Sequence, residues 1–333
     1  MQETTQKKRR SRHKREQIAK SIQLTERDLD ILETLYVCRA ATTQQLASLV
    51  LGRAENTYFH TRLAEFFHRG FVTRRFFMTP YGIAPSKILH MIDRKGIHVL
   101  EQYRGLKGKW TTDALRVQQQ FLAHTLAIND LEIAIRTSAQ KLDLPLTDWI
   151  GESAIKADYD RIVVPGLKGD GKPKAVQPDV AFALNIPSVH QSVKKWFLVE
   201  VDKGTEVRKQ FGAKIPTYIA YFRASQCKQR YGTPLLRVLV VTTSDRRLAN
   251  LKRHTEAAGG KARFWFTTLA AMQQANALSD PIWQLAGQEG RVALLSVDNA
   301  DVSLIKNGVA ALLATPFLFK SPLNSIPTPL TAS

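Results

Sequence analysis

The chain has 333 residues, 44% of them hydrophobic and 23% charged, a balance that leaves room for two globular domains and excludes a wholly disordered or fibrous chain. Its 48 Lys and Arg against 29 Asp and Glu give a formal charge of +19, so the expected partner is a polyanion, nucleic acid before anionic membrane. Two widely separated cysteines, Cys38 and Cys227, exclude a disulfide framework and a zinc module, and the best apolar run, Gly308 to Phe319, is short and interrupted by Pro316.

These features predict a soluble, cytoplasmic protein with no membrane partner. Residues 1–23 hold "QKKRRSRHKREQIAK", which carries too little apolar surface to offset its ordering entropy. It reads as a basic mobile arm for phosphate contact, or as a solvated charge run.

A first compact unit is expected over residues 24–104. "TERD" offers Thr25 as an N-cap with an acid three places on, followed by Leu29, Leu32, Leu35 and Tyr36 at helical spacing. "TTQQLASLVLG" predicts a second helix capped by Thr42 or Thr43 and ended by Gly52, and "ENTYFHTRLAEFFHRG" a third ended by Gly70. In the third, Phe59, Leu63, Phe66 and Phe67 form the apolar face, which turns Asn56, Thr57, Tyr58, Thr61, Arg62, Glu65 and Arg69 outward. "FVTRRFFMT" and "KILHMI" predict a hairpin around "PYGIAPS" with Arg74, Arg75 and Lys87 near its ends, and "RKGIHVLEQY" a closing helix.

Three helices, a basic hairpin and a closing helix resemble a winged helix-turn-helix. That likeness implies a third helix in the major groove of double-stranded DNA and a wing on the backbone, with protein docking as the other use of the fold.

"YRGLKGKWTTD" places a linker at residues 105–111, and a long helix is expected from about Thr112 to Gln140 with His124, Ile128, Leu131 and Ile135 along one seam. Strands at "LTDWIGES", "DYDRIVVP", "KAVQPDVAFAL" and "KKWFLVEVD" follow. Then come a helix from about Glu206 to Ala224, a strand "LLRVLVVTT", a helix near Ser244 to Ala258 and a strand "ARFWFTT". The pattern predicts an α/β sandwich with a mixed sheet over residues 112–290 and an extension with a loose tail over 291–333. "GLKGDGKPK" lacks the P-loop ending and reads as a hairpin tip, with Lys168, Lys172 and Lys174 as phosphate contacts.

Within the second domain the acids concentrate. Glu200 and Asp202 share one face of their strand, about 7 Å apart, and Asp179 opens the strand before. Gathered together, three carboxylates repel each other, and a divalent cation resolves the conflict. Oxygen-only ligands suit Mg²⁺ or Mn²⁺, which can polarise a phosphodiester. Glu152, in "DWIGES", is a fourth ligand candidate; His124, Asp130 and Glu132 are weaker ones. The competing reading makes these ordinary strand-end acids, with Asp179 capping a turn and Asp202 opening a loop.

Pro178–Asp179 followed by Glu200, Asp202 and Lys203 resembles the PD-(D/E)xK restriction-endonuclease-like nucleases. The family's lysine stands two places after its acid, where this chain has Asp202. Lys203 one step later, or Lys214 from the following helix with Tyr218 one turn on, is the stand-in, Lys214 being preferred although Pro216 is expected to disturb that helix.

With "WIGES", "QPDVAFAL", "FLVEVDKGTE" and "KIPTY" added, residues 24–270 resemble the replication-relaxation family of plasmid and integrative-element proteins, similar in outline to MOBC-type relaxases. The resemblance implies recognition of an origin region and metal-dependent nicking or relaxation of DNA. Glu152, Asp179, Glu200 and Asp202 then serve as metal ligands, Lys203 or Lys214 as phosphate stabiliser, and a homodimer or relaxosome and replication proteins as further partners. No His-hydrophobic-His pair of the tyrosine relaxases occurs. The alternative is a non-catalytic plasmid replication or transcription regulator whose degenerate nuclease-like domain serves oligomerisation.

Overall fold

The computed structural model describes residues 11–16, 22–77, 87–106, 119–165, 171–187, 192–204, 208–233 and 236–295. The "PYGIAPS" turn, most of the expected linker, Lys168 and the C-terminal extension beyond Leu295 lie outside them. Among the described residues there are ten helices, and none is long and apolar enough to cross a membrane. The chain divides into two compact units, 1–129 and 130–333.

In the first unit α1 (Glu26–Cys38) starts at Thr25, whose hydroxyl accepts from Asp28 N while the Asp28 carboxylate takes the Thr25 N–H, a reciprocal cap on two orphan donors. The same device, Thr42 with Gln45, opens α2 (Thr43–Leu51) directly after β1 (Ala41–Thr42). Asn56 caps α3 (Thr57–Arg69), which Gly70 ends in the left-handed region. β2 (Val72–Phe77) and β3 (Lys87–Ile92) form the expected antiparallel hairpin, β1 adds to the free side of β3, and α4 (Arg94–Arg104) closes the unit. Leu32, Leu35, Leu46, Phe59, Leu63, Phe66, Val72 and Ile97 make its core, so the apolar spacing in α1 and α3 was sufficient to find the packed faces.

Gly96 is where α4 touches that core. A Cβ there would stand 2.3 Å from the Phe71 carbonyl oxygen and 2.9 Å from a side-chain carbon of Ile92. Gly96→Ala is expected to cost about 2–3 kcal/mol in chemical denaturation of the full chain, because backbone must move to make room.

His90, on β3, is 1% exposed; its Nε2 lies 3.0 Å from the Thr43 hydroxyl and its Nδ1 has no partner. Burial, and then the charges of Arg74 and His60, lower its pKa to about 3. A folded-state value below the unfolded 6.5 means stability that is complete above pH 6.5 and is lost as pH falls towards 3. By about pH 4.5 the loss should be about 3 kcal/mol. Melts at pH 7 and 4.5 test this: His90→Gln should lose markedly less than the wild type on acidification.

α5 (Gln119–Lys141) contains the division between the two compact units, which falls after Asn129. Its first half belongs with the first unit: Leu122 packs with Ala40, Leu89 and Met91, and Asn129 donates to the Ala40 carbonyl at 2.8 Å. The seam therefore splits, with Leu131 and Ile135 buried beyond the division.

The second unit is an α/β structure on a mixed six-stranded sheet, in the order β11-β10-β9-β8-β7-β4. β7 (Val180–Ile186) runs antiparallel to both its neighbours, β4 (Leu146–Gly151) and β8 (Val193–Val201); β9 (Arg237–Thr242) and β10 (Phe264–Thr268) continue parallel to β8; β11 (Gln284–Leu285) turns back. α6 (Glu152–Ala157) follows β4, and β5 (Asp160–Ile162) with β6 (Lys174–Val176) forms a separate pair whose connection holds the glycine-rich stretch. Lys172 and Lys174 are exposed there.

Two longer helices, α7 (Arg208–Arg223) and α9 (Asp245–Ala257), cover one sheet face. Phe211, Ile215 and Tyr218 of α7 and Leu248 and Leu251 of α9 pack with Ala181, Trp196, Leu198, Val240 and Phe266. α8 (Ser225–Tyr231) and α10 (Leu269–Gln274) complete the chain order. On the opposite face Trp149, Phe182 and Phe197 stack, so β8 is buried on both sides and reads as a continuous apolar run.

Candidate functional site

Antiparallel pairing brings the end of β4, the start of β7 and the end of β8 together. Asp179 donates its N–H to the Val199 carbonyl at 2.9 Å and accepts the Val201 N–H on Oδ2 at 2.7 Å, which fixes its side chain against β8. Gly151 pairs with Val180, so Glu152, the next residue and the first of α6, arrives beside Asp179. One carboxylate oxygen of each lies within 4.8 Å of the other. Glu152 also forms an i,i+4 ion pair with Lys156.

Glu200 is the buried member of the group. Its parity in β8 matches Trp196 and Leu198, which turns it towards α7. Lys214 Nζ donates to Oε2 at 2.7 Å and the Tyr218 hydroxyl donates to Oε1. Burial raises the Glu200 pKa to about 7, against the lowering charge of Lys214 and with the help of the Asp179 charge. Burial and Glu200 together hold the Tyr218 phenol well above its ordinary value, so it stays a donor. Pro216 does not break α7, and Lys214 and Tyr218 reach Glu200 from successive turns.

Asp202 takes another course. It lies just past the end of β8, where Arg247 of α9 grips it with two nitrogens at 2.9 and 2.8 Å and the Thr242 hydroxyl donates at 2.7 Å. Burial works to raise its pKa, but these donors outweigh it and the net shift is downward. The shared face expected for Glu200 and Asp202 is therefore divided between two helices. Among the described residues Lys203 makes no hydrogen bond or ion pair with these acids, and Gly204 follows it in the left-handed region at φ 77°. Glu132 is tied to Arg136, Asp130 is partly buried on α5, and His124 lies on the half of α5 that belongs to the first unit.

In the first unit α3 presents Thr57, Tyr58, His60 and Thr61 to solvent, Tyr58 being 58% exposed. Asn56, also exposed, is engaged as the cap, accepting from Phe59 N at 2.9 Å, and the Thr61 hydroxyl donates to the Thr57 carbonyl. Arg62 departs from its expected outward role. Its guanidinium donates to Asp28 at 2.8 Å, to the Gln23 carbonyl at 2.8 Å and to Glu65 at 3.2 Å, and it is 14% exposed. The hydrogen bond it donates to Asp28 raises its pKa, so it is a charged clamp between α3 and α1. Arg69 is likewise held by Glu65 at 2.9 Å and only 11% exposed. Arg74 and Arg75 are partly buried on β2, and Lys87 is exposed at the start of β3. Spacing alone identifies the helix face but not the acid 34 positions away that captures Arg62.

Comparison with known families gives one match: the profile described as replication-relaxation covers residues 32–236, more than half of the chain. No curated protein and no solved structure matches.

Proposed function

The chain belongs to the replication-relaxation family, and from that premise we propose that it binds duplex DNA at the origin region of a mobile genetic element and cuts a phosphodiester bond there with a divalent cation. The observation that carries this reading is the approach of Glu152 to Asp179 where β4 ends and β7 begins, with the Lys214-paired Glu200 of β8 feeling the Asp179 charge.

The order α5, β4, β7, β8, α7, β9, with β9 parallel to β8, supports a restriction-endonuclease-like reading of the second unit. The helix–helix–hairpin order of the first supports a winged helix-turn-helix whose α3 faces the major groove.

Hard oxygen donors within 4.8 Å of each other, Glu152 and Asp179, fit Mg²⁺ or Mn²⁺, and Glu200 adjoins them. When bound, such an ion supplies Lewis-acid polarisation of the scissile phosphate and neutralises charge on the leaving oxygen. The protein's own groups do the rest. The Val201 N–H orients Asp179, Lys214 favours the ionised form of Glu200, and Tyr218 fixes the position of its other oxygen. Asp202 and Arg247 brace the junction of β8 with α9.

One observation favours the non-catalytic regulator instead: Glu200 already accepts from Lys214 and Tyr218, and Asp202 from Arg247 and Thr242, so both are satisfied by the protein itself. Incubation with supercoiled plasmid carrying the element's origin and Mn²⁺ separates the two. Open-circular product is expected from the wild type; intact plasmid at full DNA occupancy would leave the regulator.

A further inference from the structure

Residues 11–16 are tied to the first unit by one side chain. Arg15 donates from Nε to the Phe67 carbonyl at 3.0 Å and from a terminal nitrogen to the Val72 carbonyl at 3.0 Å, and it pairs with the Asp93 carboxylate. Those acceptors are the last turn of α3, the first residue of β2 and the N-cap of α4. A cation at a helix C-terminus meets otherwise unpaired carbonyls and the negative end of the dipole. The Glu16 N–H adds a bond to His68 Nδ1 at 3.1 Å, and the His13 ring lies 4.3 Å from that of Phe76. The stretch expected to be part of a mobile arm is thus held beside β2.

Beside it Arg74 is a cation without an anion. Its guanidinium lies over the Phe67 ring at 4.5 Å, its Nε is buried with no hydrogen-bond partner, and no carboxylate among the described residues pairs with it. Burial, and then the charge of Arg12, lower its pKa to about 10. Its register partner across the hairpin, His90, is buried with Nδ1 unpartnered. Buried donors without partners are rare in folded proteins, so the Arg74 guanidinium lacks an acceptor that an anion would supply. A planar guanidinium braced on an aromatic ring is suited to phosphate oxygens.

We propose that the held stretch and β2 form one phosphate-binding cradle for the backbone of duplex DNA, with Arg74 at its centre, Arg12 beside it and Arg15 as the clasp that sets their spacing. The proposal rests on the DNA reading above and adds where the backbone sits. Duplex DNA is the source of phosphate because the charge recurs on the described hairpin, where Arg75 adjoins Arg74 on β2 and Lys87 opens β3. A repeating polyanion meets such a strip, whereas a single free anion does not.

Fluorescence anisotropy of a labelled duplex in EDTA, over a range of salt concentrations, reads the cradle without any cleavage. Arg74→Gln and Arg12→Gln should each flatten the log–log salt slope by about 1 and weaken binding several-fold at low salt, and Arg15→Gln should flatten it by about 2. Circular dichroism confirms the fold of each variant, and Arg12→Gln, at an exposed position, keeps the test valid should Arg15→Gln unfold. Steep wild-type salt dependence unchanged in Arg74→Gln and Arg12→Gln would overturn the cradle alone. No salt-dependent binding by the wild type would remove the DNA reading with it. Inorganic phosphate that raises the wild-type melting temperature but not that of Arg74→Gln, with duplex slopes unaltered, would assign the site to free phosphate and overturn the backbone assignment.

Discussion

Asp179→Asn is expected to lower Mn²⁺-dependent nicking by a factor on the order of 1,000, while retention of duplex DNA in a gel is unchanged. The amide can still accept the Val201 N–H that now fixes the carboxylate, so the strand junction should survive. What disappears is one of two anionic oxygens within 4.8 Å of each other, on which cation binding depends. Lys214→Ala should reduce nicking too, for a different reason: the buried Glu200, no longer facing an ammonium 2.7 Å away, would hold its proton to higher pH. The two variants are therefore distinguishable by pH, since raising it should recover part of the Lys214→Ala loss and none of the Asp179→Asn loss. Equal nicking by wild type and Asp179→Asn would place the chemistry elsewhere.

Asp202→Ala should act on stability before it acts on chemistry. Asp202 is 1% exposed at its side chain and Arg247 18%, so removing the acid strands a largely buried guanidinium and the Thr242 hydroxyl. Breaking such a pair from one side costs about 2–4 kcal/mol, allowing for the water that reaches Arg247. The melting temperature should drop accordingly, and the double variant Asp202→Ala with Arg247→Met should recover much of it, because an apolar pair needs no counter-charge. A ligand role for Asp202 predicts the opposite signature, with nicking abolished and the melting temperature of the cation-free protein unchanged. Differential scanning calorimetry in EDTA decides between them.

The sequence was legible where structure is local. Thr25, Thr42 and Gly70 mark helix ends because a cap is a hydrogen bond within a few residues of its own helix. The apolar runs of β7, β8 and β9 announce strands covered on both faces. Short α6, α8 and α10 left no periodicity to read, being about one to two turns each.

In the site, the approach of Asp179 to Glu200 followed from strand order, and Lys214 with Tyr218 followed from the one-turn spacing of α7. The fate of Asp202 did not follow, since Arg247 lies 45 positions away and nothing in its vicinity signals an acid partner. Arg62 gives the same lesson in the first unit: parity and periodicity tell which way a side chain points, but only tertiary structure says what it meets there. Charge runs are weaker guides still, because Arg15 is bound to main-chain carbonyls and an acid within the unit while Arg74 nearby has neither.

The two units divide the task in this account. As proposed, the first would meet the duplex with exposed α3 side chains and Arg74, and the second would hold a cation with Glu152 and Asp179. Everything in the proposed reaction depends on Glu152 and Asp179, backed by Glu200, holding a divalent ion. Titration of Mn²⁺ into the DNA-free protein, followed by calorimetry and by loss of the free-ion paramagnetic resonance signal, reads that binding without any DNA. Saturable binding of about one ion per chain, abolished in Asp179→Asn and retained in Asp202→Asn, is the predicted result. Absence of saturable binding by the folded wild type, or identical binding by Asp179→Asn, would contradict it.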